Sequence, residues 1–113
     1  MTTLRIVMYD VPNCRACKIM ATYLRDAGIE YEQVDATTLP DEQRKKLRLE
    51  TFPTIIFYRN DIEMTRLTGV RPIEEVEDCI FIAKYHPHSL DAEPRWVRKG
   101  VDRIGRNNSR TSR

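Results

Sequence analysis

Apolar and polar positions change period repeatedly along the first 85 residues, and each change marks an element. LRIVMY (4–9) is a short β-rich run and predicts a buried strand. Asp10, Pro12 and Asn13 end it. The period then becomes helical: Ala16, Ile19, Met20, Tyr23, Leu24 and Ala27 fall at i, i+3, i+4, i+7, i+8 and i+11. Arg15, Lys18, Arg25 and Asp26 take the other face, and Gly28 is placed to stop the helix. YEQVDA (31–36) predicts a second strand. A strand, a helix and a strand of these lengths make a βαβ unit with parallel strands and a right-handed crossover.

TLPDEQRKKLRLE (38–50) predicts an exposed helix, because its apolar stripe is only Leu39, Leu47 and Leu49. Thr38 is its expected cap, with Asp41 at the capping-box spacing. TFPTIIFYRNDIEMTRLTG (51–69) predicts a hairpin whose strands, TIIFY and EMTRLT, are joined by RND. Pro72 opens a last helix with Glu74 and Glu75 in its first turn. Ile73, Val76, Ile80 and Ala83 face inward there, and Lys84 and His86 lie near its end. The expected order is β-α-β-α-β-β-α, an α/β fold with a mixed four-stranded sheet flanked by helices. It occupies residues 1–86. Residues 87–113 carry many Arg, Ser and Asn residues and are expected to form a basic, partly disordered C-terminal tail. Within the tail, Val97, Val101 and Ile104 can line a short basic helix, with Trp96 packing against some surface. No internal repeat is present.

Composition changes this picture in three ways. Hydrophobic residues make up 41% of the 113, enough for one modest core, and no apolar run is long enough to span a bilayer. The first ten residues lack the features of a signal peptide, which makes a reducing cytoplasm the expected compartment. The net charge of +2 divides unevenly: residues 92–113 carry seven Arg and Lys against two acids, and residues 1–91 carry twelve against fifteen.

The chemistry concentrates in NCRACK (13–18). Cys14 and Cys17 are one helical turn apart, and such a pair is open to three readings: a redox couple, half of a metal site, or two packed thiols. Further ligands for a metal would have to come from Cys79, His86 and His88, far along the chain, and H-P-H is not a usual zinc spacing. The strand before the pair and the helix after it favour redox use. Cys14 falls at about the N-cap, where unpaired N–H groups and the helix dipole favour a thiolate, and Arg15 and Lys18 add positive charge. These influences would bring its pKa into the range of roughly 3.5–7.5 seen at such sites. Cys17 lies deeper and suits a resolving thiol. Cys79 reads as a packed core thiol. There is no Ser/His/Asp set, phosphate-binding glycine loop or dinucleotide fingerprint, so any NADPH would act through a separate reductase.

From Leu4 to about Tyr85 the chain resembles the thioredoxin superfamily, closest to its small glutaredoxin-like members. The resemblance rests on the strand before C-x-x-C, the helix it opens, TFPT about 40 residues beyond Cys14, and Gly69 ahead of the last helix. It implies a thioredoxin-like fold with no bound cofactor, in which Cys14 attacks a disulfide and Cys17 resolves. It also implies a cis Phe52–Pro53 peptide, with Phe52 pairing with an extended substrate segment and Val70 and Arg71 completing the groove. The acid that many thioredoxins use as proton acceptor would fall near Met8, not at Asp10. GVRP (69–72) is similar to the Gly-aromatic-Arg-Pro segment of NrdH redoxins, which take electrons from thioredoxin reductase and pass them to ribonucleotide reductase. The Gly-Gly by which dithiol glutaredoxins hold glutathione is replaced by TGVRPIEE.

The expected function is therefore that of a monomeric dithiol–disulfide oxidoreductase. Its reducing equivalents would come from NADPH through thioredoxin reductase, or from glutathione, and ribonucleotide reductase is one expected substrate. The alternative is a redox-inert binding module that uses the groove and tail to hold a protein or nucleic acid. Arg95, Arg98, Lys99, Arg103, Arg106, Arg110 and Arg113 would give it a salt-dependent contact; the simpler reading is a solubilising end.

Overall fold

A computed structural model describes residues 3–87. The expected tail, with Trp96 and His88, lies outside the described residues. The elements are β1 (Leu4–Asp10), α1 (Arg15–Asp26), β2 (Glu32–Asp35), α2 (Asp41–Leu47), β3 (Thr54–Arg59), β4 (Ile62–Thr68) and α3 (Ile73–Tyr85), with a 3-10 turn at Ala36–Thr38. The expected order holds. The strands lie β2-β1-β3-β4, with β1 parallel to β2 and antiparallel to β3, and β3 antiparallel to β4.

Alternation along the strands splits the core in two. Ile6, Met8, Ile55, Phe57 and Met64 face the side covered by α1 and α3, where they meet Met20, Leu24, Val76, Cys79 and Ala83. Val7, Tyr9 and Ile56 face the other side, which is closed by Leu39, Leu47, Leu49 and Phe52. The second side is thinner, and α2 buries no residue of its own. None of the described helices is long and apolar enough to cross a membrane.

Three local expectations are corrected. The buried stripe of α1 is Cys17, Met20, Ala21 and Leu24, whereas Tyr23 and Ala27 are exposed. The helix is rolled so that small Ala21 is buried in the core cluster and Tyr23 faces outward, 41% exposed. Thr38 does not cap a helix. It lies within the 3-10 turn, which Asp35 caps by accepting the Thr37 hydroxyl at 2.6 Å and the Thr37 N–H at 2.8 Å, and these bonds hold its carboxyl below its ordinary pKa. α2 then starts after Pro40 with no side-chain cap. The hairpin turn is Asn60–Asp61, both at positive φ (52° and 68°), which suits the twist of a two-residue connection.

Register places the functional loops together. Tyr9 pairs with Thr54, Thr54 with Thr68, and Asp10 with Asp35. The end of β1, the start of β3 and the end of β4 therefore share one edge of the sheet.

Candidate active site

The site is assembled where β1 hands over to α1. Asn13 turns the chain at φ 60°, and Cys14 follows in extended geometry (φ −102°, ψ 106°) as the N-cap of α1. An N-cap side chain faces backbone N–H groups that no carbonyl serves. Here that side chain is a sulfur: the Cys17 N–H donates to Cys14 Sγ at 3.1 Å. Cys14 and Cys17 form a disulfide, with their Cα atoms 5.2 Å apart. Cys14 is half-buried, and Cys17 is 3% exposed. The first turn of α1 carries no acid. The outer sulfur thus meets solvent and helix N–H groups, and the inner one sits directly behind it.

A cleft of about 470 Å³ runs past both sulfurs, lined among others by Asp10, Lys18, Thr22, Arg25 and Gln33. Lys18, expected beside the cysteines, is in it. Arg15 opens α1 as an exposed residue and is not among the lining groups. Asp10 and Gln33 were not anticipated. Asp10 accepts a hydrogen bond from Gln33 Nε2, which fixes the carboxylate at the cleft wall. The sequence signal for Asp10 was its place as the last residue of β1 before C-x-x-C. Gln33 carried none, because it is brought there by β1–β2 pairing. Met8, where a family acid would fall, is fully buried among apolar groups.

Two other loops lie at the same end of the sheet, outside the lining of that cleft. The Phe52–Pro53 peptide is cis, Pro53 is buried, and Phe52 packs half-buried on the Val7–Tyr9–Ile56 cluster. No backbone hydrogen bond involves Phe52 among the described residues, which leaves its N–H and C=O available to a partner strand. The Pro53 carbonyl accepts the Gly69 N–H at 2.8 Å, tying the two loops together. Gly69 holds φ 79°, a conformation that other residues enter only with strain. Val70 is 42% exposed, and the Arg71 N–H approaches Met20 Sδ at 3.5 Å, bringing this loop onto α1. The Arg71 side chain turns aside, donating to the Thr68 carbonyl and pairing with Glu75.

Cys79 is separate from this assembly. It is 6% exposed in the middle of α3, and burial pushes its thiol up to about 12. Among the described residues, no three His, Cys, Asp or Glu side chains gather as a metal site.

Comparison with known proteins places this geometry. Residues 2–81 match the family model described as Thioredoxin. A thioredoxin-like protein derived from the SPbeta prophage of Bacillus subtilis (strain 168), YosR, is 30% identical over 71 residues, which are 63% of this chain and 89% of that protein. The reduced Schistosoma mansoni thioredoxin pre-protein superposes with a TM-score of 0.61 at 25% identity, covering 71% of this chain and 78% of that one. Spinach chloroplast thioredoxin f, at 18% identity and a TM-score of 0.62 over 74% of this chain and 78% of its own, shares the fold.

Proposed function

The chain belongs to the thioredoxin family, and we propose on that premise that it reduces disulfides of protein substrates through Cys14 and Cys17. The observation that carries this reading is the sulfur of Cys14 at the N-cap of α1, accepting the Cys17 N–H, with the Cys17 sulfur buried behind it. A thiolate at that position is stabilised by the same N–H groups and dipole that make helix N-termini bind anions.

The exchange proceeds in two steps. The Cys14 thiolate attacks one sulfur of the substrate disulfide, forming a mixed disulfide and releasing the other sulfur as a thiolate. Cys17 then gives up its proton and attacks Cys14 Sγ, closing the Cys14–Cys17 disulfide and releasing the second substrate thiolate. Two electrons have passed from the dithiol to the substrate, and the proton ends on a released sulfur. Asp10 is the carboxylate of the shared cleft and receives the Cys17 proton through cleft water. Phe52 offers its backbone to an extended substrate strand, and Val70 and the backbone of Arg71 bound the groove.

On this reading the chain works as a monomer in the cytoplasm, is re-reduced by NADPH through thioredoxin reductase, and has ribonucleotide reductase among its substrates. The test follows NADPH consumption with a protein disulfide, using either thioredoxin reductase or glutathione with glutathione reductase. Turnover with the first alone is expected. Turnover with glutathione alone reassigns the reductant, and activity that survives Cys14→Ser overturns the reading in favour of a redox-inert binding module.

A further inference from the structure

The outward face of α3 has a pattern that neither the core nor the redox site uses. Glu74, Glu77, Asp78, Phe81 and Tyr85 are all exposed and fall at i, i+3, i+4, i+7 and i+11, which is a single stripe. Its first half is acidic. Its second half is aromatic: Phe81 and Tyr85 are 64% and 65% exposed, and their rings touch with centroids 4.9 Å apart. Single exposed apolar residues are ordinary, but two large rings held together on a charged helix form a patch.

We infer that this stripe is the docking surface for the chain's own C-terminal segment, residues 94–104. Three observations select that occupant over others. The first is position. α3 ends at Tyr85, Pro87 turns the chain out of it, and a further 26 residues follow. Trp96 is nine residues beyond Pro87, a reach of up to about 30 Å at full extension, and α3, with 13 residues, is about 20 Å long. The whole stripe is therefore within reach of a returning segment. The second is charge. Residues 92–113 carry seven Arg and Lys against two acids, opposite in sign to the Glu74–Glu77–Asp78 end. The third is order. In an antiparallel return Trp96 and Val97 arrive first, against Phe81 and Tyr85, and Arg98, Lys99 and Arg103 follow towards the acids. An aromatic pair takes a third ring with a gain beyond area burial, and a charged neighbour fixes the register.

The chain contains one tryptophan, so tryptophan fluorescence reports on the surroundings of Trp96. The experiment compares emission maximum and acrylamide quenching in the reduced full chain, in the Phe81→Ala/Tyr85→Ala variant, in the Glu77→Lys/Asp78→Lys variant, and in a synthetic peptide of residues 88–113. The replaced side chains are exposed, and far-UV circular dichroism checks that each variant is folded. Docking gives the full chain a blue-shifted, protected tryptophan. That protection is lost to the peptide's level in the aromatic variant, and is weakened by charge reversal and by salt. A full chain that matches the peptide overturns the inference. So does protection that persists in the aromatic variant, since Trp96 then packs elsewhere. Protection that grows with protein concentration, in step with a dimer mass in sedimentation, assigns the surface to a second copy instead.

Discussion

Cys17 and Cys79 are buried to nearly the same degree, 3% and 6% exposed, on two helices that cover the same side of the sheet. They differ in where along the helix they sit. Cys17 lies in the first turn of α1, one turn inside Cys14, beside a cleft that also holds Asp10 and Lys18. Cys79 lies in the middle of α3, away from either helix end, packed in the apolar cluster under the sheet with the Thr65 side chain hydrogen-bonded to its thiol. Burial alone therefore does not make a thiol reactive or inert. On the proposed mechanism a helix N-terminus and an open cleft make buried Cys17 a resolving group, whereas burial in the middle of α3 pushes the Cys79 thiol up to about 12.

The comparison breaks most directly if the two regions exchange behaviour on substitution. Cys14→Ser is expected to bring disulfide turnover down to the uncatalysed background, read as NADPH consumption in the coupled assay. Cys17→Ser is expected to stop multiple turnover while accumulating a mixed disulfide on Cys14, visible as a covalent adduct by intact-mass measurement. An adduct-free Cys17→Ser enzyme that still turns over would make Cys17 as passive as Cys79. Asp10→Asn should slow turnover by about 100-fold, the low end for a positioned general base, and should shift the pH profile of the resolving step. An unchanged profile would remove Asp10 from the proton path.

Cys79→Ala is the mildest of the four. Turnover should be unchanged, at a stability cost of about 1 kcal/mol for the lost packing. The sign of its pH effect follows from linkage. The folded state holds the Cys79 proton more tightly than the unfolded chain, so its contribution is complete below the unfolded pKa of about 9 and is lost as pH rises towards about 12. The variant should therefore show a shallower decline in stability than the parent across that alkaline window, measured by urea unfolding. An identical decline would mean that Cys79 is less enclosed than its burial implies.

The same contrast explains what could be read from the chain. The start of α1 was legible because Pro12 and Asn13 break the strand and Cys14 opens a strongly periodic stripe. The roll of the helix was not legible. Apolar character alone put Tyr23 inside, and only packing against the sheet selects Ala21 and Cys17. Thr38 does not cap α2 because it falls inside the 3-10 turn that Asp35 caps, where its hydroxyl donates to the Asp35 carbonyl, and α2 starts only after Pro40. The cis form of Phe52–Pro53 was accessible only through family resemblance, since local sequence rarely specifies it. The Pro53–Gly69 bond and the Gln33–Asp10 pair join residues far apart in sequence, so only the sheet register reveals them.

The central claim is that the thiol at the α1 N-terminus is the reactive one in this chain, while burial within α3 keeps Cys79 protonated and inert. It is tested by site-resolved alkylation of the reduced full-length protein across pH. Cys14 should label first, with a midpoint below the ordinary thiol value of about 8.5, while Cys79 stays unlabelled as long as the fold holds. A Cys14 midpoint at that ordinary value, or labelling of Cys79 at the rate of Cys14, would contradict it.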